Sequence, residues 1–131
     1  MKIASDNNAK NLEIEVEGSS AELVSFGKEL LQIEKMVVRK STGKSDKFYP
    51  VILKSIKCIV DLQSGFPEQI TLNVEDQSLL VAGDVIAMRK LGQSLINAFW
   101  CAMPEEHVHL DSGNQLVAPS GCSVIIVCIE D

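Results

Sequence analysis

Two stretches of the chain combine a strand-like pattern with a helix-like pattern in the same order. In the first, apolar and charged residues alternate over residues 12–17, which is the period-2 pattern of a strand with one buried face. Apolar residues then recur at helical spacing, and Ser19 with Glu22 has the spacing of a capping box. We therefore predict a strand that ends at Gly18 and a helix over residues 20–34.

The second stretch repeats this order after a turn at residues 64–67. Alternation over residues 70–74 predicts a strand, and residues 75–77 predict a hairpin turn into a further strand at residues 79–81. Asp84 is placed to cap a second helix. That helix has an apolar stripe of Met88, Leu91, Leu95, Ile96 and Phe99.

An ungapped alignment of residues 16–32 with residues 81–97 indicates an internal repeat. It places Gly27 on Gly92, each in the middle of a predicted helix, where glycine costs roughly 1 kcal/mol relative to alanine. A glycine at both positions indicates that each helix closely approaches another element there, for which the sheet beneath is the simplest choice.

The repeat continues beyond the helices and sets the predicted fold. The segment at residues 54–61 aligns with the end of the chain and places Asp61 on Asp131. We predict two similar β-α-β-β halves, residues 12–62 and 70–131, within a single domain over residues 1–131. The fold class is α+β, with two helices packed on one face of a mainly antiparallel sheet.

Three other stretches complete the predicted architecture. Residues 1–10 are polar and aperiodic, which favours a loose lead-in. Residues 51–60 are predicted to form one strand. The run at residues 122–130 is apolar on both faces, which is typical of a central strand.

Composition and charge narrow the classes of partner. The chain has 131 residues and a net charge of −6, and residues 66–131 hold two basic and nine acidic side chains. This acidity argues against nucleic acid as the ligand and favours a basic protein partner. No apolar run reaches the roughly 18 residues of a membrane span, and the first residues lack a signal sequence, so we expect no membrane partner and a cytoplasmic location.

The sequence motifs of redox-active cysteine pairs, zinc ribbons and nucleotide-binding loops are incomplete in this chain. The four cysteines, at positions 58, 101, 122 and 128, have no CxxC spacing and are predicted to be free thiols. Residues 41–45, STGKS, resemble the end of a phosphate-binding loop, but Val38 stands where its first glycine would be. No motif selects a nucleophile or an acid/base pair. We therefore predict that the protein is not an enzyme and needs no cofactor.

The sequence HVHLD at residues 107–111 is the sharpest polar cluster. On a strand, His107, His109 and Asp111 would share one face. Two imidazoles and a carboxylate in this spacing are able to ligate zinc, and Glu105 is near enough in sequence to assist them. The spacing itself indicates no fourth ligand. An exposed strand face is the other interpretation.

A family resemblance covers the second half. Gly83 and Asp84 begin a helix with Leu91 and Leu95, HVHLD follows, and a turn at residues 120–121 precedes the apolar last strand. This order resembles the small bacterial immunity proteins of the immunity protein 32 family. The resemblance implies a non-enzymatic cytoplasmic antitoxin that binds and blocks a cognate toxin domain, and an acidic half suits a basic toxin.

These observations together lead to one predicted binding site and two alternatives. The partner-binding residues are predicted to be Trp100 as an aromatic anchor, Glu105, Glu106, His107, His109 and Asp111. The first alternative is a small metal-binding protein or enzyme centred on HVHLD. The second is a self-associating module, such as a homodimer, in which the basic residues 35–57 of one chain meet the acidic half of another.

Overall fold

A computed structural model of the chain describes residues 1–8 and 10–130. The described part contains two α-helices and nine β-strands, which confirms the α+β class. Asp131, which the alignment places on Asp61, lies outside the described residues. The elements are β1 (Lys2–Ser5), β2 (Glu13–Ser19), α1 (Ser20–Leu31), β3 (Met36–Lys40), β4 (Val51–Ile52), β5 (Ser55–Val60), β6 (Ile70–Glu75), β7 (Ser78–Gly83), α2 (Val85–Phe99), β8 (His107–Leu110) and β9 (Ser123–Ile129).

The strands form two sheets rather than one. The five-stranded sheet has the order β4-β1-β2-β9-β8, and the four-stranded sheet has the order β3-β5-β7-β6. Each sheet has one parallel pair, β2 with β9 and β5 with β7, and its other pairs are antiparallel. Each parallel pair joins a strand of the first half of the chain to a strand of the second half.

The prediction of two helices on one face of a single, mainly antiparallel sheet is therefore wrong in its sheet arrangement. Helix α1 contacts β2 and β9 of the five-stranded sheet, whereas α2 contacts β7 and β5 of the four-stranded sheet. Alternation along a strand shows which side chains are buried but not which strand lies beside it. That is why the exchange of strands between the halves was not predicted.

Side-chain caps begin both helices. Ser19 and Glu22 form the predicted capping box at α1, with hydrogen bonds of 3.1 Å in both directions. The Glu22 carboxylate also accepts a hydrogen bond of 2.9 Å from the Met1 ammonium group. These bonds hold the pKa of Glu22 below its ordinary value. At α2, the Asp84 carboxylate accepts the Ala87 amide at 2.8 Å.

The two helices cross where their glycines meet. A Cβ atom built on Gly27 would lie 2.7 Å from the Gly92 carbonyl oxygen, and one built on Gly92 would lie 2.6 Å from the Gly27 carbonyl oxygen. Side-chain carbon atoms essentially never lie so near a backbone oxygen. The close approach at both positions was predicted, but its partner is the other helix and not the sheet.

Two predicted segments differ from the structure. Residues 1–5 are not a loose lead-in, because β1 pairs with β2 and the side chains of Ile3 and Ala4 are fully buried. The predicted strand over residues 51–60 is divided at Leu53, so that β4 and β5 belong to different sheets. Both differences depend on partner strands that are distant in sequence. The similarity of the two halves, residues 12–62 and 70–131, stays a prediction.

Candidate functional site

The five-stranded sheet has an outer face that no helix covers. Its inner face is fixed by α1, because a Cβ atom on Gly18 would meet the Leu23 side chain at 3.2 Å. Ile14, Val16 and Gly18 therefore point inward, and the residues between them in β2 point outward. On this outer face the strands β2, β9 and β8 contribute Glu13, Glu15, Glu17, Ser123, Ile125, Val127, Ile129, His107 and His109.

The strand register arranges these side chains in rows across the outer face. One row runs from Glu17 through Val127 to His107. The next runs from Glu15 through Ile125 to His109. A column of acids thus lies beside a column of aliphatic side chains, which is bordered by two exposed imidazoles.

A strap, residues 41–50, crosses the same face at the β1 side. The Lys2 ammonium lies 3.0 Å from Asp46 of the strap, and the Tyr49 hydroxyl donates a hydrogen bond to the Glu13 carboxylate. Ala4 of β1 is fully buried, although it points to the outer side of the sheet. The strap therefore contacts β1 and lies beside the acids of β2, next to the part of the face that β9 and β8 form.

Three carboxylates surround the Lys2 ammonium group where the strap meets β2. Ligand oxygens of Glu15, Glu17 and Asp46 lie within 4.8 Å of one another, and Lys2 Nζ lies 3.6 Å from Glu17. One oxygen of Glu15, Oε1, is buried without a hydrogen-bond partner. Burial, followed by the neighbouring carboxylate of Glu17, raises the pKa of Glu15 to about 8.

Replacing Glu15 with glutamine is expected to change how stability depends on pH. Because the folded protein keeps the Glu15 proton that the unfolded chain releases above about 4.5, Glu15 makes stability fall as the pH rises from about 4.5 to about 8. Glu15→Gln should therefore leave the melting temperature at pH 5 nearly unchanged and raise it at pH 9. Glu75→Gln, an exposed change in β6, is the control and should shift neither value. A variant with the wild-type pH profile would contradict the burial of this carboxylate.

The segment from Trp100 to Glu106 leads from the end of α2 to the start of β8. Trp100 follows α2, is 63% exposed, and has Lys28 Nζ 5.8 Å from its ring centroid. Glu105 has a φ of 75°, in the left-handed region, and its amide donates to the Cys128 carbonyl at 2.7 Å. The Cys128 amide in turn donates to the Glu106 carbonyl at 2.9 Å. Both acids are exposed and are tied to the end of the central strand β9.

The HVHLD residues are only partly brought together. His107 and His109 are exposed neighbours whose ring centroids lie 5.0 Å apart, edge to face. Asp111 follows β8, and its carboxylate accepts the Gly113 amide at 2.9 Å and closes a turn. Asp111 therefore lies outside the strand on which it was predicted to share a face with the imidazoles.

The proposed metal ligands at HVHLD find no third partner in the described part of the chain. Within residues 1–8 and 10–130, ligand atoms from three residues come close enough to share an ion at Glu15, Glu17 and Asp46, where the Lys2 ammonium already lies. Of the four cysteines, Cys101 is exposed and Cys122 is half-buried. Cys58 and Cys128 are core residues, and burial raises the pKa of the Cys58 thiol.

A comparison with protein families decides the interpretation of the second half. Residues 78–129 match the family model of immunity protein 32. The resemblance drawn from the sequence is thereby confirmed for this segment. The immunity protein 32 match comprises β7, α2, β8 and β9, and therefore includes the aliphatic column of the outer face and both histidines. The acidic column on β2 lies outside it.

The other comparisons add no relative. Searches of curated proteins and of solved structures gave no match to this chain. Among the helices that the structure describes, neither is long and apolar enough to cross a membrane.

Sequence reasoning missed most of the outer face. The alternation at residues 12–17 does show that Glu13, Glu15 and Glu17 share one face. The pairing of that strand with residues 123–129 has no signal in a single sequence, so Ile125 and Val127 were not recognised as neighbours of the acids. Only the two histidines were predicted as part of this site.

Proposed function

We propose that this protein is an immunity protein, which binds and neutralises a cognate toxin domain without catalysing a reaction. The match of residues 78–129 to immunity protein 32 carries this proposal. The absence of a complete catalytic motif in the sequence is consistent with it. The same proposal places the protein in the cytoplasm, where an immunity protein would meet a toxin that has entered the cell.

The proposed contact residues all belong to the immunity protein 32 segment. Glu105, Glu106, His107 and His109 are exposed positions along and just before β8. Trp100 is a large exposed aromatic side chain of the kind that provides much of the binding energy at protein interfaces. Asp111 supports the same surface by closing the turn after β8.

Charge supports a basic partner. The chain has a net charge of −6, and two adjacent exposed acids, Glu105 and Glu106, border the proposed site. Acidic surfaces accelerate the association of basic partners and favour them over acidic ones. We therefore propose that the toxin domain presents a positively charged surface to this site.

The proposed function is tested first by sequencing the gene immediately upstream, which is expected to encode a large secreted protein with a variable C-terminal domain, and that domain is then the toxin domain used. Wild-type protein is expected to bind that domain and to protect cells that express it. Trp100→Ala is expected to weaken binding by about 30-fold, since loss of an aromatic anchor costs about 2 kcal/mol, and Glu106→Lys by about 10-fold. Titration calorimetry measures both affinities.

Glu75→Lys is the matched control for the charge change. Glu75 is an exposed acid on the four-stranded sheet, so its reversal alters the net charge equally without touching the proposed site. Wild-type affinity in Trp100→Ala and Glu106→Lys would place the interface elsewhere. No binding and no protection by the wild-type protein would reject the immunity function.

A further inference from the structure

We infer that the open outer face of the five-stranded sheet is a second part of the toxin-binding surface, and that it receives a cationic, amphipathic segment of the partner. This inference rests on the proposed function and assigns the partner's chemistry. The segment would place lysine or arginine side chains on the acidic column of β2. It would place apolar side chains on the aliphatic column of β9.

The aliphatic column is the first reason. Ile125 and Val127 lie in a central strand, point away from the helices and remain partly accessible, and Ile129 is 40% exposed. The helix that contacts β9 is α1, which lies on the inner side of the sheet. Contiguous apolar side chains on an open sheet face gain free energy when a partner removes them from water.

The acidic column is the second reason, because it determines the sign of the charge that the partner must have. Glu13, Glu15 and Glu17 point to the outer face, and the basic side chain beside them is Lys2. Glu15 keeps its proton at neutral pH because its pKa is raised to about 8. Glu13, Glu17 and Asp46 still outnumber the Lys2 ammonium group, which already contacts Glu17 and Asp46. A cation from a partner would be stabilised there, whereas an acidic segment would be repelled.

The third reason is that the outer face adjoins the acidic residues Glu105 and Glu106. His107 lies on the outer face opposite Val127, and Glu106 is tied to β9 through the Cys128 amide. Strands β2 and β9 have seven residues each and β8 has four. At an average of about six residues, the three strands span roughly 14 by 20 Å, or about 280 Å². That is less than half of the roughly 800 Å² that one partner buries in a stable complex. The face therefore needs the adjoining segment from Trp100 to Glu106 to complete an interface.

The probe for this surface is a synthetic twelve-residue peptide that repeats Lys-Lys-Val-Val (about 40 Å when extended), so that lysine and valine alternate along each of its faces. It is compared with a peptide of equal length that repeats Glu-Glu-Val-Val. Two-dimensional amide NMR spectra of the full chain are recorded at low salt during titration with each peptide. The lysine peptide is expected to shift amides of β2, β8 and β9 and to leave the four-stranded sheet unchanged. The glutamate peptide is expected to shift neither sheet.

A double variant connects the peptide result to the toxin. Ile125→Thr with Val127→Thr keeps β-branched side chains on the strand while reducing apolar area. It is expected to weaken binding of the lysine peptide by about threefold or more and binding of the upstream toxin domain by about tenfold. Ile59→Thr, on the outer side of the four-stranded sheet, is the control and should change neither affinity.

The outcomes separate the surface from the function. Peptide shifts that are absent, dispersed over both sheets or equal for the two peptides would overturn the inference. Wild-type toxin affinity in the double variant, together with a loss in Glu106→Lys, would also overturn it and leave the immunity function standing. A wild-type protein that binds no toxin would reject that function, and the inference would fall with it, even if the peptide marked the face.

Discussion

Replacing Gly27 with alanine is expected to destabilise the protein by about 2 kcal/mol, the excess of a backbone clash over the gain in helix propensity. The new methyl group would lie 2.7 Å from the backbone oxygen of Gly92, and a backbone oxygen does not move aside as a flexible side chain does. Such overpacking typically costs 1–3 kcal/mol or more, while the gain in helix propensity is about 1 kcal/mol. Gly92→Ala should behave in the same way, since its methyl group would meet the Gly27 oxygen at 2.6 Å.

Urea unfolding of Gly65→Ala provides the matched comparison. Nothing lies within 4 Å of a Cβ atom built on Gly65, so this change adds the same methyl group in open space and should alter the free energy of unfolding by less than about 0.5 kcal/mol. A Gly27→Ala protein as stable as wild type would mean that α1 and α2 are not in contact at their glycines.

A fragment of residues 78–129, the immunity protein 32 segment, is expected to be unfolded in isolation. In the full chain β7 lies between β5 and β6, and β9 lies between β2 and β8. Of these pairings, the fragment keeps only that of β8 with β9, and an isolated two-stranded hairpin is marginally stable at best in water. It also loses α1, on which α2 packs.

Far-ultraviolet circular dichroism and thermal melting of the fragment test this expectation. The full chain under the same conditions is the control and should melt cooperatively, whereas the fragment should show the spectrum of an unfolded chain and no transition. A cooperative transition in the fragment alone would show that the matched segment is a domain in its own right and that strand exchange is not needed for its stability.

The elements could be predicted from the sequence where the determining residues are close together. The capping box of Ser19 and Glu22, the cap at Asp84 and the turn at residues 75–77 depend on spacings of a few positions, and the structure has each of them. The assignment of strands to sheets could not be predicted in this way. It depends on which apolar face meets which helix, and similar alternating patterns fit several partners.

Prediction of the candidate site from the sequence is limited in the same way. Glu105, Glu106, His107 and His109 were predicted to be contact residues because they lie in one polar run. The structure has them exposed, and their part in binding stays a prediction. The outer face was not recognised, because its acids and its aliphatic side chains come from strands that are paired only in the folded protein. Asp111 was predicted to be a contact residue from spacing alone, and its role in the turn emerges only from its bond to Gly113.

The pairing of β2 with β9 also has a consequence for the rate of folding. It joins residues such as Glu13 and Ser123, which lie 110 positions apart, so the loop that must close is almost as long as the chain. Loop-closure entropy is lost before such contacts stabilise the fold, and proteins with many distant contacts fold slowly. Until β9 pairs with β2, one side of β2 is an unpaired strand edge. During that interval the chain is most exposed to pairing with another unfolded copy of itself.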